Sequence, residues 1–173
     1  MSLTILTVAQ SHRSAFFRLQ IASSVITVDQ KIDDMGGHDI QMVIEEKLCE
    51  SDTNSNNNRF SIPENKILKE ARGNFLQPQE VEFLKTCSTN NKRPQRINVL
   101  VLEPNLQEFN LLLKRWQMKS CSTYNLIYRW KHAQSNDLKV NDMVQLWSFR
   151  RLDDQLGSAL VKLNKKILHF AQV

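Results

Sequence analysis

The 173-residue chain has little of what punctuates or staples a fold: four glycines, four prolines and three cysteines. So little Gly and Pro excludes a collagen-like or linker-rich chain. Cys49, Cys87 and Cys121 are odd in number, widely spaced and without a CxxC pair. That argues against a disulfide framework or a zinc module and fits a reducing compartment. The three thiols are expected to be buried or half-buried. No apolar run is long enough to span a membrane. The first residues lack a basic start followed by an unbroken apolar core, so no secretory signal is expected.

The usual signatures of catalysis are also missing. There is no P-loop, GxSxG elbow, HExxH or Rossmann glycine pattern. His12, His38, His132 and His169 are scattered, and the acid pair Asp153-Asp154 reads as a solvated hairpin turn. The chain is therefore not expected to be an enzyme. No cofactor, metal or small-molecule substrate is expected either.

What is present is a basic chain of one-domain length with an ordinary apolar fraction. The formal net charge is +5, which favours anionic partners. The excess is uneven: Lys92, Arg93, Arg96, Lys114, Arg115, Lys119, Arg129 and Lys131 fall between residues 92 and 131, opposed there only by Glu103 and Glu108.

Residues 1–38 show no sustained period and end in a Gly36-Gly37 break, so a poorly ordered extension is expected there. Ile40, Met42, Ile44 and Leu48 then follow the two-residue period of a half-buried strand. The polar run from Ser51 to Asn58 reads as a loop, because Ser, Asn and Asp compete with the backbone for hydrogen bonds. Arg59 to Ile62 reads as a short strand stopped by Pro63. Pro78 opens a helix, with Glu80 and Glu82 early in it and Val81 and Leu84 on one face. Ile97 to Leu102 is apolar enough to be covered on both faces. Phe109–Trp116, Thr123–Tyr128, Met143–Arg150 and Ser158–Leu163 read as further strands, and Trp130–Asn136 as a second short helix. Short strands at this spacing suggest an all-β barrel or sandwich.

Three stretches, taken in order, resemble the plant B3 DNA-binding family. They are LCESDTNSNNNRFSIP (Leu48 to Pro63), LLLKRWQMKSCSTYNLIYRW (Leu111 to Trp130) and LKVNDMVQLWSFR (Leu138 to Arg150). The ending QLWSFR is most similar to the subgroup with one such domain and little else. The resemblance implies a seven-stranded open β-barrel with two short helices over residues 39–163, followed by a tail at 164–173. It also implies two loop arms that enter the major groove of double-stranded DNA, a transcription regulator's role, and residence in the nucleus. Protein co-regulators are expected as further partners, and no membrane.

The side chains expected at DNA follow from these arms. The first arm supplies Ser51, Thr53, Asn54, Ser55, Asn56, Asn57, Asn58 and Arg59. The second supplies Gln117, Lys119, Ser120 and Ser122. Arg and Lys suit guanine, and Asn and Gln suit adenine, by the geometry of their donor and acceptor forks. Lys114, Arg115, Lys92 and Arg93 are expected at phosphates, which position a protein without reading sequence. Trp116, Trp130, Trp147, Phe60 and Ile62 are expected in the core.

The chain departs from the family pattern in three places. Glu50 stands where a basic residue is usual, Arg129 where Gly often precedes the helix Trp, and Asn141 where the turn has Gly. These departures favour a second reading, a diverged barrel serving protein interaction. Binding of nucleic acid through charge alone is a third.

Overall fold

The computed structural model describes residues 27–54, 56–87, 93–127, 130 and 138–163. Its strands are β1 (His38–Lys47), β2 (Arg59–Pro63), β3 (Arg96–Leu102), β4 (Glu108–Gln117), β5 (Ser122–Ile127), β6 (Met143–Arg150) and β7 (Leu156–Leu163). They form one sheet in the order β1-β6-β7-β3-β4-β5-β2, antiparallel except where β3 meets β7. The strands at the two edges, β1 and β2, are joined by residues 48–58 alone, and part of that link is helix. So short a link draws the edges together and curls the sheet. Across the seam Leu68 N donates to Val43 O at 2.9 Å, and Lys66 pairs with Glu46. The result is a seven-stranded open barrel.

Its interior holds Val43, Phe60, Ile62, Val99, Val101, Leu111, Leu113, Leu126, Val144, Leu146 and Leu160. A second apolar cluster lies outside the barrel wall. There Leu102, Phe149, Ala159 and Val161 are covered by Val28 and Ile32 of helix α1 (Val28–Asp34). The apolar run of β3 divides its side chains between the two clusters, so it is covered on both faces as its composition implies.

Helix α1 corrects the expectation of a poorly ordered extension, at residues 27–38. Thr27 and Gln30 form a reciprocal capping box that satisfies two of the free N–H groups at the helix start. The helix is too short to be stable alone. Its apolar pair, one turn apart, settles on the barrel wall. Residues 1–26 and the tail 164–173 lie outside the described residues.

The even period read from Ile40 to Leu48 is also broken. Register shifts between His38 and Gln41 and between Met42 and Ile44 bring Val43 and Ile44 both into the main core. A bulge inserts an unpaired residue and changes which side chains face inward. Helix α2 (Glu50–Thr53) occupies the start of what reads as a loop. Helix α3 (Pro78–Lys85) begins at Pro78 as expected and buries Leu84. Arg150 donates to both Glu80 oxygens at 2.8 Å, tying α3 to β6. Of the second expected helix, only Trp130 is among the described residues. The expected strand from Ser158 begins two residues earlier, at Leu156. All three cysteines are free and exposed, which corrects the expectation that they would be buried.

Candidate nucleic-acid interface

Two arms hang from opposite ends of the short ladder formed by β2, β5 and β4. The first, residues 48–58, leads into Arg59. The second, residues 118–121, joins Gln117 to Ser122, whose neighbour Thr123 pairs with Pro63 at the far end of β2. Successive strand residues face opposite ways. Phe60, Leu126 and Leu113 therefore point inward, while the other face carries Arg59, Ser61, Asn125, Lys114 and Trp116.

Asp52 builds the root of the first arm. It is 6% exposed; its Oδ2 accepts from Cys49 N at 3.1 Å and from Cys49 Sγ at 2.8 Å, and its Oδ1 accepts from Ser61 N at 3.4 Å. Its carbonyl accepts from Trp130 Nε1 at 2.8 Å, and Trp130 packs on Phe60 with ring centroids 5.2 Å apart. One carboxylate and one indole thus pin the arm to the barrel. Beyond α2, Asn54 Oδ1 accepts from Asn56 N at 2.9 Å and Asn57 Nδ2 donates to Ser51 O at 3.3 Å. Asn58 turns the chain back at a φ of +43°, a conformation Asn tolerates better than most residues.

The second arm is a tight turn. Met118 N donates to Cys121 O at 2.8 Å, and Gln117 Nε2 donates to Met118 O at 3.1 Å. Met118, Lys119, Ser120 and Cys121 are left exposed.

Between the arms, Arg59 Cζ lies 4.7 Å from the Trp116 ring centroid and Lys114 Nζ lies 5.5 Å from it. These are cation–π distances. The Nε of Arg59 and the Nε1 of Trp116 are buried without a hydrogen-bond partner. Beneath them Ser61 Oγ donates to Asn125 Oδ1 at 3.0 Å, and Asn125 Nδ2 donates to Thr123 O at 3.2 Å.

About half of the expected side chains are presented on this face and its arms. Asn54, Asn56 and Asn57 are exposed on the first arm, and Lys119 and Ser120 on the second. Several stand differently from expectation. Ser51 and Thr53 are half-buried in α2, where Thr53 Oγ1 turns back to Glu50 O at 3.3 Å. Gln117 spends its amide N–H inside its own turn. Ser122 is buried. Arg115 faces the interior side of β4 and pairs with Glu64 at 3.4 Å, so it is not presented outward with Lys114. Arg93 is exposed, while Ser55 and Lys92 lie outside the described residues. Trp116 is half-buried at the surface rather than in the core, whereas Trp130 is fully buried.

The sequence reading missed the roles of Asp52, Ser61 and Asn125. Asn125 sits inside a strand of β-formers, and its polarity there was the available signal. Among the described residues no group of His, Cys, Asp and Glu is arranged to hold a metal ion.

A curled seven-stranded sheet with two polar arms and a basic, aromatic face between them defines an open-barrel domain with a built polar surface. Comparison with known proteins gives its family. The family model for "B3 domain-containing protein At2g31720-like" matches residues 22–164, and the chain belongs to the B3 domain family. It is 32% identical over 118 residues to the Arabidopsis thaliana B3 domain-containing protein At3g25182, covering 65% of this chain and 33% of that one. To the Arabidopsis thaliana B3 domain-containing protein At2g31420 it is 27% identical over 162 residues, covering 88% and 76%. The chain thus spans about a third of the first of these relatives. Among solved structures it is similar to the Arabidopsis FUS3–DNA complex, with a TM-score of 0.43, 14% identity, and coverage of 72% of this chain and 100% of that one.

Proposed function

We propose that this domain binds double-stranded DNA sequence-specifically in the major groove, as a nuclear transcription regulator. The observation that carries this reading is the face between the arms. Arg59 and Lys114 converge on Trp116, and two of the N–H groups there have no acceptor within the protein. The positive charge of Arg59 and Lys114 gathered on this face suits an anionic ligand, and nucleic acid is such a ligand. The spacing supports the same reading. β2 has five residues, which spans roughly 14–17 Å at strand rise, and the major groove is about 12 Å wide. Arms hung from the two ends of this ladder are therefore set apart on the scale of that groove. Membership of the B3 domain family agrees with the proposal.

In this reading the exposed side chains of Asn54, Asn56, Asn57, Lys119 and Ser120 contact base edges, and Lys114 and Arg93 contact phosphates. Arg59 contacts DNA from the face itself. Selection of random duplex DNA by the 173-residue chain tests the proposal. One short motif is expected to be enriched. Its binding is expected to fall about 5- to 150-fold on Arg59→Ala, since a lost bidentate base contact costs about 1–3 kcal/mol. Equal binding of the enriched motif and unrelated duplex would refute sequence reading. It would leave charge alone as the source of affinity.

A second reading, interaction with protein, rests on Glu50. This carboxylate is exposed at the start of α2, where it would repel a phosphate backbone. A folded chain that enriches no motif would favour it.

A further inference from the structure

Among the described residues four large apolar side chains are exposed: Phe83, Met118, Val140 and Leu152. Only Met118 belongs to an arm. It is 50% exposed, and it follows the strand residue Gln117 directly. The turn that carries it is closed at both ends of the arm. Met118 N and Gln117 Nε2 both bond within it, to Cys121 O and Met118 O respectively. The backbone under Met118 is therefore held in place, and its thioether chain is presented beside the polar Lys119 and Ser120.

An apolar side chain exposed on a groove-reading arm has few favourable partners there. Phosphates, and the donors and acceptors of the base edges, are all polar. The apolar group offered by the major groove is the C5-methyl of thymine, and 5-methylcytosine carries the same group in the same place. We propose that Met118 is a specificity-determining residue that packs on the C5-methyl of a pyrimidine, thymine in unmodified DNA. This inference rests on the DNA-reading proposal above and adds a ligand feature to it: the second arm selects a methyl group, not only a hydrogen-bonding pattern. Methionine suits the task because its chain is unbranched and polarizable and adapts to an irregular apolar contact.

The test starts from the motif enriched by the 173-residue chain. Each thymine of that motif is replaced singly by deoxyuridine, which removes the methyl and leaves the pairing and the hydrogen-bonding edge intact. One position is expected to lower wild-type affinity about fourfold, the worth of one buried methyl-sized group. Met118→Ala is expected to bind the thymine and deoxyuridine duplexes equally. Met118→Leu is expected to retain the preference. At the same position cytosine is expected to bind less well than 5-methylcytosine, which separates methyl reading from base-pair reading.

Met118 is exposed, so its truncation leaves the core untouched, and a circular dichroism melt checks that. A wild-type chain indifferent to every deoxyuridine substitution overturns the inference. So does a Met118→Ala variant that keeps the full discrimination. Failure to enrich any motif refutes the DNA-reading proposal and this inference with it, and an enriched motif with a flat deoxyuridine scan refutes this inference alone.

Discussion

At the scale of single residues Glu103 poses a buried charge problem. Glu103 is fully buried in the turn between β3 and β4, and neither carboxylate oxygen has a hydrogen-bond partner. Leu106 N and Gln107 O bond only its backbone. Burial pushes its pKa up to about 7, because removing a carboxylate from water disfavours the charged form. In the unfolded chain Glu titrates at its ordinary value of 4.5. Between these two values the folded state binds the proton and the unfolded state has lost it. Stability therefore falls as pH rises from about 4.5 to about 7, and the loss is complete above that. Glu103→Gln is expected to have little effect at pH 4 and to stabilise by up to about 3 kcal/mol at pH 8. Urea denaturation at the two pH values measures this. Equal effects at both would mean that the carboxyl is not desolvated in solution.

At the scale of elements the junction between α1 and β1 is decisive. Gly36 takes a φ of +66°, a conformation that disfavours other side chains. Gly37 is constrained by space instead: a Cβ there would lie 2.3 Å from Ile32 Cγ2 and 2.8 Å from Ile32 O. Nothing can give way without lifting Ile32, the fully buried anchor of α1. Gly37→Ala is expected to cost about 1–3 kcal/mol, the usual range for overpacking. It is also expected to raise hydrogen exchange in residues 28–34 while protection of β3 and β4 is kept. Exchange unchanged in α1 would show that the helix does not depend on this close approach. None of this was legible beforehand. The Gly pair reads as a break between segments, and only the packed structure reveals that it is a hinge seated against Ile32.

At the scale of the whole molecule the net charge of +5 matters less than its placement. Several basic side chains are already committed inside the protein. Arg150 serves Glu80, Arg115 serves Glu64, Lys66 serves Glu46 and Lys31 serves Glu108. Lys114 and Lys119 remain on the surface between and on the arms. Each phosphate neutralised contributes about −0.9 to the slope of log affinity against log salt. Replacing Lys114 with Met is expected to reduce that slope by about one, with the preferred motif unchanged. Binding of one duplex across a series of salt concentrations measures it. An unchanged slope would remove Lys114 from the phosphate contacts.

The sequence by itself determined the strands, the order of the arms and most of the core, because two-residue alternation, Pro63, Pro78 and the Asn run are local signals with local causes. Asn141, which stands where the resembled family has Gly in its turn, takes a φ of +73°. What the sequence could not decide depends on contacts between distant segments. Val28 and Ile32 make a helix only because Leu102, Phe149 and Val161 form a wall to receive them. The bulged register of β1 answers to its partner β6. The interface itself divides in the same way. Lys114 and Arg115 are adjacent in sequence and chemically alike, yet strand alternation sends one to the outer face and the other inward to Glu64. Asp52 reads as one polar residue among many, and becomes the anchor of the first arm once Cys49, Ser61 and Trp130 converge on it. Side-chain type is written in the chain, but which neighbour claims each donor and acceptor is settled only when the sheet curls and brings its edges together.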